Sequence, residues 1–222
     1  MKCTAIILAA GASTRMQGTN KQLLSINGIP VLARSLINFQ NTPEVAEIIV
    51  AAKAGSCEET AALCQKYGIA KLKAVCEGGS TRAESAKKAF SYAGETDVTL
   101  IHDGARPFAF SDMISRVISE AYENGGAIAA VPVTDTIKIV KDGFISATPD
   151  RSGLYAAQTP QGFRTGLYRK MLALGGDFTD DSQLAEAMGI KVKITAGSYD
   201  TIKITTPEDI ARAEIIAGKE KA

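Results

Sequence analysis

Short apolar runs alternate with longer amphipathic stretches along most of the 222-residue chain. The apolar runs have the length and β-branching of buried strands, whereas the stretches between them repeat apolar residues at helical spacing. This alternation predicts an α/β fold with a mostly parallel sheet and helices on both faces. Strands are predicted at Thr4–Ala9, Glu47–Ala52, Leu72–Val75, Val98–His102, Ala127–Val133, Lys191–Thr195 and Ile202–Ile204. Helices are predicted at Val31–Gln40, Glu58–Tyr67, Thr81–Tyr92, Asp112–Asn124, Leu167–Leu174, Ser182–Met188 and Pro207–Ala217.

One insertion, at about residues 135–159, interrupts the alternation of a chain that otherwise reads as a single domain. It contains two short β segments, Thr136–Val140 and Phe144–Ala147, joined by a turn with the hairpin signal Asp142-Gly143. We interpret it as a projecting β-arm, because the exposed edges of such a hairpin are commonly covered by a partner subunit. A hairpin folded onto its own domain is the alternative, and the pattern favours neither.

Two of the predicted helices carry clear start signals. Ser111 stands where it can cap the fourth helix. Thr206 precedes the last helix as a second cap, with Pro207 at the first turn and acidic side chains at the positive end of the helix dipole.

The charge balance excludes some classes of partner. Lys and Arg number 25 against 24 Asp and Glu, which gives a net charge of +1 and no basic cluster. Nucleic-acid and anionic-membrane surfaces normally carry net positive charge or a basic stripe, so neither partner is expected. No apolar stretch reaches the 18 or more residues of a membrane span, and the first strand begins by Thr4, so no signal peptide is expected.

Cysteine and histidine usage argues against a zinc site. The four cysteines form no Cys-x-x-Cys pair, and His102 is the only histidine. Cys57 and Cys64, seven residues apart on a predicted helix, are interpreted as small buried apolar side chains. Reduced cysteines without an export signal indicate the cytoplasm.

The turn after the first strand is the strongest candidate for phosphate binding. Ala9, Ala10 and Gly11 leave the backbone open to a ligand, and Arg15 and Lys21 follow on the same small, polar segment. Two cations on such a loop suit a triphosphate. The segment matches neither the Walker pattern nor Gly-x-Gly-x-x-Gly, and plain chain reversal is the alternative.

A second candidate is the glycine turn that contains Gly79 and Ser80. Ser80 or Thr81 can cap the helix that follows, whose first N–H groups and the Ser85 hydroxyl are available to a ligand. A capped helix without a ligand is equally consistent with this segment.

A third candidate follows the strand ending at His102. Asp103 lies where α/β sheets bind ligands and has the oxygen chemistry for a magnesium ion that bridges phosphates. Arg106 is a charged donor to an anion or a hydroxyl, and a local ion pair with Asp103 is the alternative. Because strand side chains alternate, His102 should face away from Asp103 and have a structural role.

The blocks that carry these residues recur in a fixed order along nearly the whole chain. They are LAAGASTRM with NKQ, GGSTRAES, HDGARPF, PVTDTIK, ATPDRSGLYAAQTPQGF, TDDS and TIKITTPEDI. Together they resemble the 2-C-methyl-D-erythritol 4-phosphate cytidylyltransferase family of the non-mevalonate isoprenoid pathway. The resemblance implies a Rossmann-like fold with a β-arm, a homodimer with interlocking arms, and a magnesium-dependent transfer from CTP to a polyol phosphate that releases pyrophosphate.

The resemblance also implies roles for individual residues. The catalytic cations would be Arg15, Lys21, Arg151 and Lys203. The CTP contacts would come from Ala9, Ala10, Gly11, Arg15, Lys21, Gly79, Ser80, Ser85, Asp103 and Gly104. The acceptor contacts would come from Asp103, Arg106, Thr136, Arg151, Thr159, Thr179 and Lys203, with Asp103 also near magnesium. In the family, the arm residues reach into the neighbouring subunit's site.

Two residues depart from the family pattern, and other functions remain as alternatives. Ser80 stands where many relatives carry an acid and Gly104 where many carry alanine. Ribitol 5-phosphate is the alternative acceptor, although the HDGARPF and DRSGL blocks favour methylerythritol phosphate. A dinucleotide-binding oxidoreductase is disfavoured by the missing Gly-x-Gly-x-x-Gly, and a non-catalytic nucleotide sensor by the clustering of Arg15, Lys21 and Asp103.

Overall fold

The computed structural model describes residues 1–11, 22–175 and 178–219. The strands are β1 Cys3–Leu8, β2 Ser25–Ile26, β3 Ile29–Pro30, β4 Val45–Ala52, β5 Leu72–Glu77, β6 Val98–Asp103, β7 Gly126–Pro132, β8 Ile139–Lys141, β9 Phe144–Ala147, β10 Tyr155–Arg164 and β11 Lys193–Ala196. The helices are α1 Val31–Gln40, α2 Cys57–Lys66, α3 Arg82–Phe90, α4 Ser111–Asn124, α5 Thr165–Leu174, α6 Asp181–Ala187 and α7 Glu208–Lys219, with a short 3-10 helix at Arg151–Gly153.

The central sheet confirms the predicted α/β architecture. Within the described residues it has seven strands in the order β11-β7-β10-β6-β1-β4-β5. Its neighbouring strands are parallel except at β10, which lies antiparallel between β6 and β7. One apolar cluster packs α1, α2 and α4 against one face, and a second packs α3, α5 and α6 against the other. Helices therefore cover both faces, as predicted.

The sequence pattern missed β10. Pro160 and Gly162 interrupt its apolar run, and both residue types weaken the signal of a strand interior. The strand forms nonetheless because it is paired on both edges, with a register irregularity between Ala157 and Gln161. At position 162 a Cβ would lie 2.8 Å from Leu100 Cδ2, so the glycine allows the two strands to pack closely.

Two other local predictions were wrong. Residues 202–204 form no strand. The apolar side chain of Ile204 instead packs against α7 and Phe108, and the Ile204 N–H donates to the carbonyl of Ala105 at 2.8 Å. Ser111 does not cap α4, because Phe110 occupies the cap position and the helix begins at Ser111 itself.

The β8–β9 hairpin forms a separate two-stranded sheet. Asp142 and Gly143 in its turn have φ values of 51° and 83°, the left-handed conformations that a tight hairpin requires. Residues 134–148 are exposed throughout, which favours a projecting arm over a hairpin folded onto its own domain. The chain rejoins the central sheet at Tyr155, which pairs with Pro132.

None of the helices in the described ranges combines the length and the apolar composition needed to cross a membrane.

Candidate active site

A cavity of about 450 Å³ opens at the carboxyl ends of β1 and β6, beside the start of α3. Ligands of α/β proteins bind at this edge of the sheet. The cavity brings together many residues that the sequence singled out: Ala10, Gly11, Gly79, Ser80, Ser85, Asp103 and Lys203. Three separate segments therefore meet at this cavity, and the loop after β11 adds Lys203.

Two of the predicted catalytic cations, Arg15 and Lys21, lie outside the described residues. The described residues nearest to that segment on either side, Gly11 and Gln22, both line the cavity. Ala9 does not line this cavity, and its N–H already donates to the carbonyl of Ala51 at 2.8 Å.

The glycine turn before α3 is held against the first turn of the chain. A Cβ at Gly78 would lie 2.3 Å from the Cβ of Ala10, so only glycine allows this approach. The N–H of Gly79 donates to Ser85 Oγ at 2.9 Å, and that hydroxyl donates to the carbonyl of Thr81 at 2.8 Å. Ser85 therefore fixes the shape of the turn from within α3.

The start of α3 is capped as predicted. Thr81 Oγ1 accepts the N–H of Glu84 at 3.1 Å. Glu84 in turn accepts both the hydroxyl and the N–H of Ser80, at 2.8 and 2.7 Å, and these bonds lower the pKa of the Glu84 carboxyl. The Ser80 side chain thus holds the turn in place.

Asp103 is the electrostatic centre of the cavity. Its carboxylate, which is largely buried, is paired with Lys203 Nζ at 2.7 Å, Arg82 Nε at 3.6 Å and Arg106 Nε at 3.7 Å. Burial by itself raises the pKa of this carboxyl group, but the three cations outweigh burial and hold the pKa well below its usual range. Asp103 therefore remains ionised and is surrounded by positive charge.

A buried layer beneath Asp103 contains Thr159 and Gly104, which do not line the cavity. Thr159 Oγ1 accepts the N–H of Asp103 at 3.1 Å and lies 3.0 Å from His102 Nδ1. The N–H of Gly104 donates to the carbonyl of Leu8 at 2.9 Å, and a Cβ there would lie 3.0 Å from Leu32 Cδ1. Both residues support the position of Asp103 from below.

His102 is a structural residue, as predicted. Its ring is fully buried, contacts the Phe39 ring at a centroid distance of 4.8 Å and places Nε2 3.1 Å from the carbonyl of Arg106. Burial lowers the pKa of His102 to about 4, although the charge of Asp103 opposes this shift. The imidazole is therefore neutral at physiological pH.

Arg106 lies behind Asp103 and is not part of the cavity lining. Its Nη1 donates to the carbonyl of Thr201 at 2.9 Å, which connects the Asp103 turn to the loop that carries Lys203. Burial lowers the pKa of Arg106, and the charge of Asp103 works against that shift.

Three predicted acceptor contacts lie away from this cavity. Thr136 and Arg151 are exposed on the arm, where Arg151 Nη1 donates to the carbonyl of Thr134. Thr179 is exposed before α6, and its N–H donates to Gln183 Oε1 at 3.0 Å. A single chain therefore does not bring these residues to Asp103.

The sequence analysis missed Arg82, a cavity-lining residue. Arg82 Nη1 donates to Asp181 Oδ2, while its Nε faces Asp103. Burial lowers the pKa of Arg82, but the two carboxylates outweigh burial and raise it above its ordinary value. The signal was present, because Arg82 and Asp181 stand in the blocks GGSTRAES and TDDS.

The donor set permits one mode of magnesium binding. Over the described ranges no group of three or more His, Cys, Asp or Glu residues could hold a metal ion. Magnesium often binds through one or two carboxylates together with substrate phosphates and water. Asp103, a carboxylate in the cavity wall, fits such a shared role.

Comparisons with known proteins agree on one family. The family model described as 2-C-methyl-D-erythritol 4-phosphate cytidylyltransferase matches residues 3–219. A Geobacter metallireducens protein of that name is 43% identical, with 100% of this chain and 99% of the relative covered. A Bacillus cytotoxicus protein of the same name is also 43% identical, over 95% of this chain and 96% of its own.

Solved structures give the same result. The crystal structure of 4-diphosphocytidyl-2C-methyl-D-erythritol synthase from Anaerococcus prevotii superposes with a TM-score of 0.87 at 31% identity, over 98% of this chain and 96% of that one. The 2-C-methyl-D-erythritol 4-phosphate cytidylyltransferase from Thermus thermophilus superposes with a TM-score of 0.80 at 30% identity, over 98% and 100% of the two chains.

Proposed function

Because the chain belongs to the 2-C-methyl-D-erythritol 4-phosphate cytidylyltransferase family, we propose that the cavity around Asp103 is where its two substrates meet. The chain is a nucleotidyltransferase of the non-mevalonate isoprenoid pathway. It joins CTP to 2-C-methyl-D-erythritol 4-phosphate, and the products are 4-diphosphocytidyl-2-C-methyl-D-erythritol and pyrophosphate. The observation that carries the site assignment is the convergence of the two small-residue turns, Asp103 and Lys203 on one cavity.

The proposed CTP site runs along the first turn and the glycine turn. Ala10, Gly11 and Gly79 present backbone without bulky side chains, which suits close contact with a nucleotide. Arg15 and Lys21 are assigned to the triphosphate from the family resemblance. Their charge would stabilise the pentavalent α-phosphate and the departing pyrophosphate, because preorganised cations are the main tools of phosphoryl transfer.

The acceptor phosphate is assigned to Lys203. Its side chain is 40% exposed and borders the cavity, so an incoming phosphate can reach its ammonium group. A phosphate monoester has a second pKa near 6 and is mostly a dianion at neutral pH. Its oxygen attacks the α-phosphorus of CTP directly, a new P–O bond forms, and the bond to the bridging α–β oxygen breaks. No general base is needed, which agrees with the buried, neutral state of His102.

Asp103 is assigned to magnesium. Asp103 would hold a magnesium ion, and the ion's positive charge would offset the negative charge of the triphosphate. Asp103 is ionised and lines the cavity, which supports this assignment. In the structure, Lys203 Nζ pairs with the same carboxylate at 2.7 Å.

We assign the arm to a homodimer. Ile139, Val140, Phe144 and Ile145 are between 53% and 79% exposed on the hairpin. An exposed two-stranded sheet rich in apolar side chains is typical of a surface that a partner subunit covers. Thr136 and Arg151 on the same arm would then complete the acceptor site of the neighbouring subunit. Each chain would form one nucleotidyltransferase domain. The four unpaired cysteines support a cytoplasmic location.

The experiment that tests this function is a substrate panel with pyrophosphate release as the readout. CTP, UTP, ATP and GTP are each mixed with magnesium and either methylerythritol 4-phosphate or ribitol 5-phosphate. We expect rapid release only with CTP and methylerythritol 4-phosphate, and none without an acceptor. Preference for ribitol 5-phosphate would reassign the acceptor, and no release with any pair would refute catalysis.

A further inference from the structure

Arg82 lies in the cavity wall between two carboxylates that come from distant parts of the chain. Its Nε is 3.6 Å from Asp103 Oδ1, and its Nη1 donates to Asp181 Oδ2. The Asp181 side chain is only 2% exposed, and that of Arg82 is 22% exposed. Arg82 thus connects the end of β6 to the first residue of α6 through a largely desolvated guanidinium.

Asp181 is itself fixed from two other elements. The hydroxyl of Tyr168, on α5, donates to Asp181 Oδ1 at 2.8 Å. The side chain of Gln161, on β10, accepts the N–H groups of Asp181 and Ser182 at 3.0 and 3.2 Å. Tyr168 and Gln161 are both at most 1% exposed. The Asp181 carboxylate is therefore a rigid anchor in the protein interior.

The pairing of Arg82 with Asp103 is not the arrangement that stability alone would favour. Among the described residues, Arg82 Nη2 is buried without a hydrogen-bond partner. Buried ion pairs are costly to desolvate, and an unsatisfied donor adds to that cost. Departures of this kind concentrate at functional sites.

From this geometry we propose that Arg82 is a positioning residue, anchored by Asp181, that holds the Asp103 carboxylate in place during cytidylyl transfer. The proposal rests on the function proposed above. Lys203 makes the short contact to Asp103, yet Lys203 is also the cation assigned to the acceptor phosphate. When that phosphate draws Lys203 away, Arg82 remains beside Asp103, because its other end is bound to the interior.

The test is Asp181→Asn, which keeps the shape of the anchor and removes its charge. We expect kcat to fall about tenfold while the KM for each substrate changes less, because the defect lies in positioning the reacting groups. Glu47→Gln is the matched control, because Glu47 lies in the amino-terminal half of β4, away from the cavity. Its carboxylate accepts hydrogen bonds from Lys73, Thr4 and Gly94, so this substitution also removes a hydrogen-bonded charge. We expect that control to lower thermal stability and leave kcat unchanged.

Both substitutions are then repeated in an Asp103→Asn background. If Arg82 acts through Asp103, Asp181→Asn has little further effect on kcat in that background. If the role of Asp181 is purely structural, Asp181→Asn lowers kcat by the same factor in both backgrounds, or lowers it no more than Glu47→Gln does. Either result overturns the proposal. If Asp181→Asn does not fold, Tyr168→Phe removes one hydrogen bond to the anchor, and a smaller kcat loss that disappears with Asp103→Asn is expected.

A crystal structure of the Asp181→Asn protein separates this proposal from the proposed function. We expect the Arg82 guanidinium to move by about 1 Å relative to Asp103, a displacement large enough to impair an oriented reaction. An unmoved guanidinium overturns the positioning role. Failure of the wild-type protein to release pyrophosphate would instead refute the proposed function, and the structure would still test the anchor.

Discussion

The side-chain amide of Gln158 forms two hydrogen bonds with the backbone of Ser198. Its Nε2 donates to the Ser198 carbonyl at 2.8 Å, and its Oε1 accepts the Ser198 N–H at 3.2 Å. A Cβ at Gly197 would lie 2.3 Å from the same Oε1, so the glycine makes this pairing possible. The loop that begins at Ser198 carries Lys203, the candidate cation for the acceptor phosphate. The buried Gln158 side chain on β10 therefore fixes the start of that loop.

Gln158→Ala should impair both stability and acceptor use. Loss of the amide leaves two backbone groups of Ser198 without their partner, which should lower the free energy of unfolding by about 1–3 kcal/mol. The looser loop should raise the KM for methylerythritol 4-phosphate more than the KM for CTP. Chemical unfolding and steady-state kinetics measure these effects, with the exposed helical Gln65→Ala as control. An unchanged acceptor KM would contradict the role of this contact.

Lys203→Ala should reduce turnover by two to three decades, equivalent to about 3–4 kcal/mol, as for the loss of one preorganised donor. The substitution removes the short ion pair with Asp103 and the proposed acceptor-phosphate contact. Pyrophosphate release at saturating CTP measures it. Lys193→Ala, an exposed lysine on β11, is the control and should leave turnover unchanged. Similar losses for the two variants would remove Lys203 from the site.

Lys21→Ala tests a catalytic assignment that rests on family resemblance. We expect turnover to fall by two to three decades, because the assigned role is to stabilise charge that develops in the transition state. The thermal unfolding midpoint should change little by comparison. Near-normal turnover in a folded variant would refute the role.

Phe144→Asp should disrupt the proposed dimer. Phe144 is 79% exposed in the single chain, and a carboxylate placed in an apolar interface is costly to desolvate. Sedimentation at micromolar concentration should shift from a dimer to a monomer, with loss of acceptor use. Ile215→Asp is the matched control, since Ile215 is 68% exposed on α7, away from the arm. A fully active wild-type monomer would exclude the shared site.

Stability should fall on mild acidification because of His102. Its pKa is lowered to about 4 in the folded protein, whereas an unfolded histidine titrates near 6.5. Between those pH values the unfolded chain binds more protons, so the free energy of unfolding declines as pH falls, by roughly 3 kcal/mol in total. Above about pH 7.5 His102 contributes almost no pH dependence, because it is then neutral in both states.

Denaturant unfolding across this range, without divalent cations, measures the slope. His102→Asn should flatten it. Because His102 is the only histidine, its imidazole NMR signals report the titration directly. A midpoint near 6.5 in the folded protein would contradict the burial effect.

Local pattern was sufficient for much of the fold. The bounds of α1 and β9 follow from apolar periodicity and the Asp142-Gly143 turn, and both match the structure. Asp103 could be placed in the site because the end of a buried strand predicts the edge of the sheet where ligands bind. These features depend on residues close together in sequence.

The pairing of β10 and the contacts of Arg82 required the tertiary structure. Pro160 and Gly162 interrupt the apolar pattern of β10, so the local sequence does not predict a strand there. The strand is nonetheless stabilised by its pairing with β6 and β7. In the same way, Arg82 becomes part of the site only when Asp181 lies beneath it. The sequence by itself determined the elements and the chemistry of the turns, because propensity and periodicity act over a few residues. The fold decided which strand separates β6 from β7 and which carboxylates share a cation, because those energies depend on partners distant in the chain.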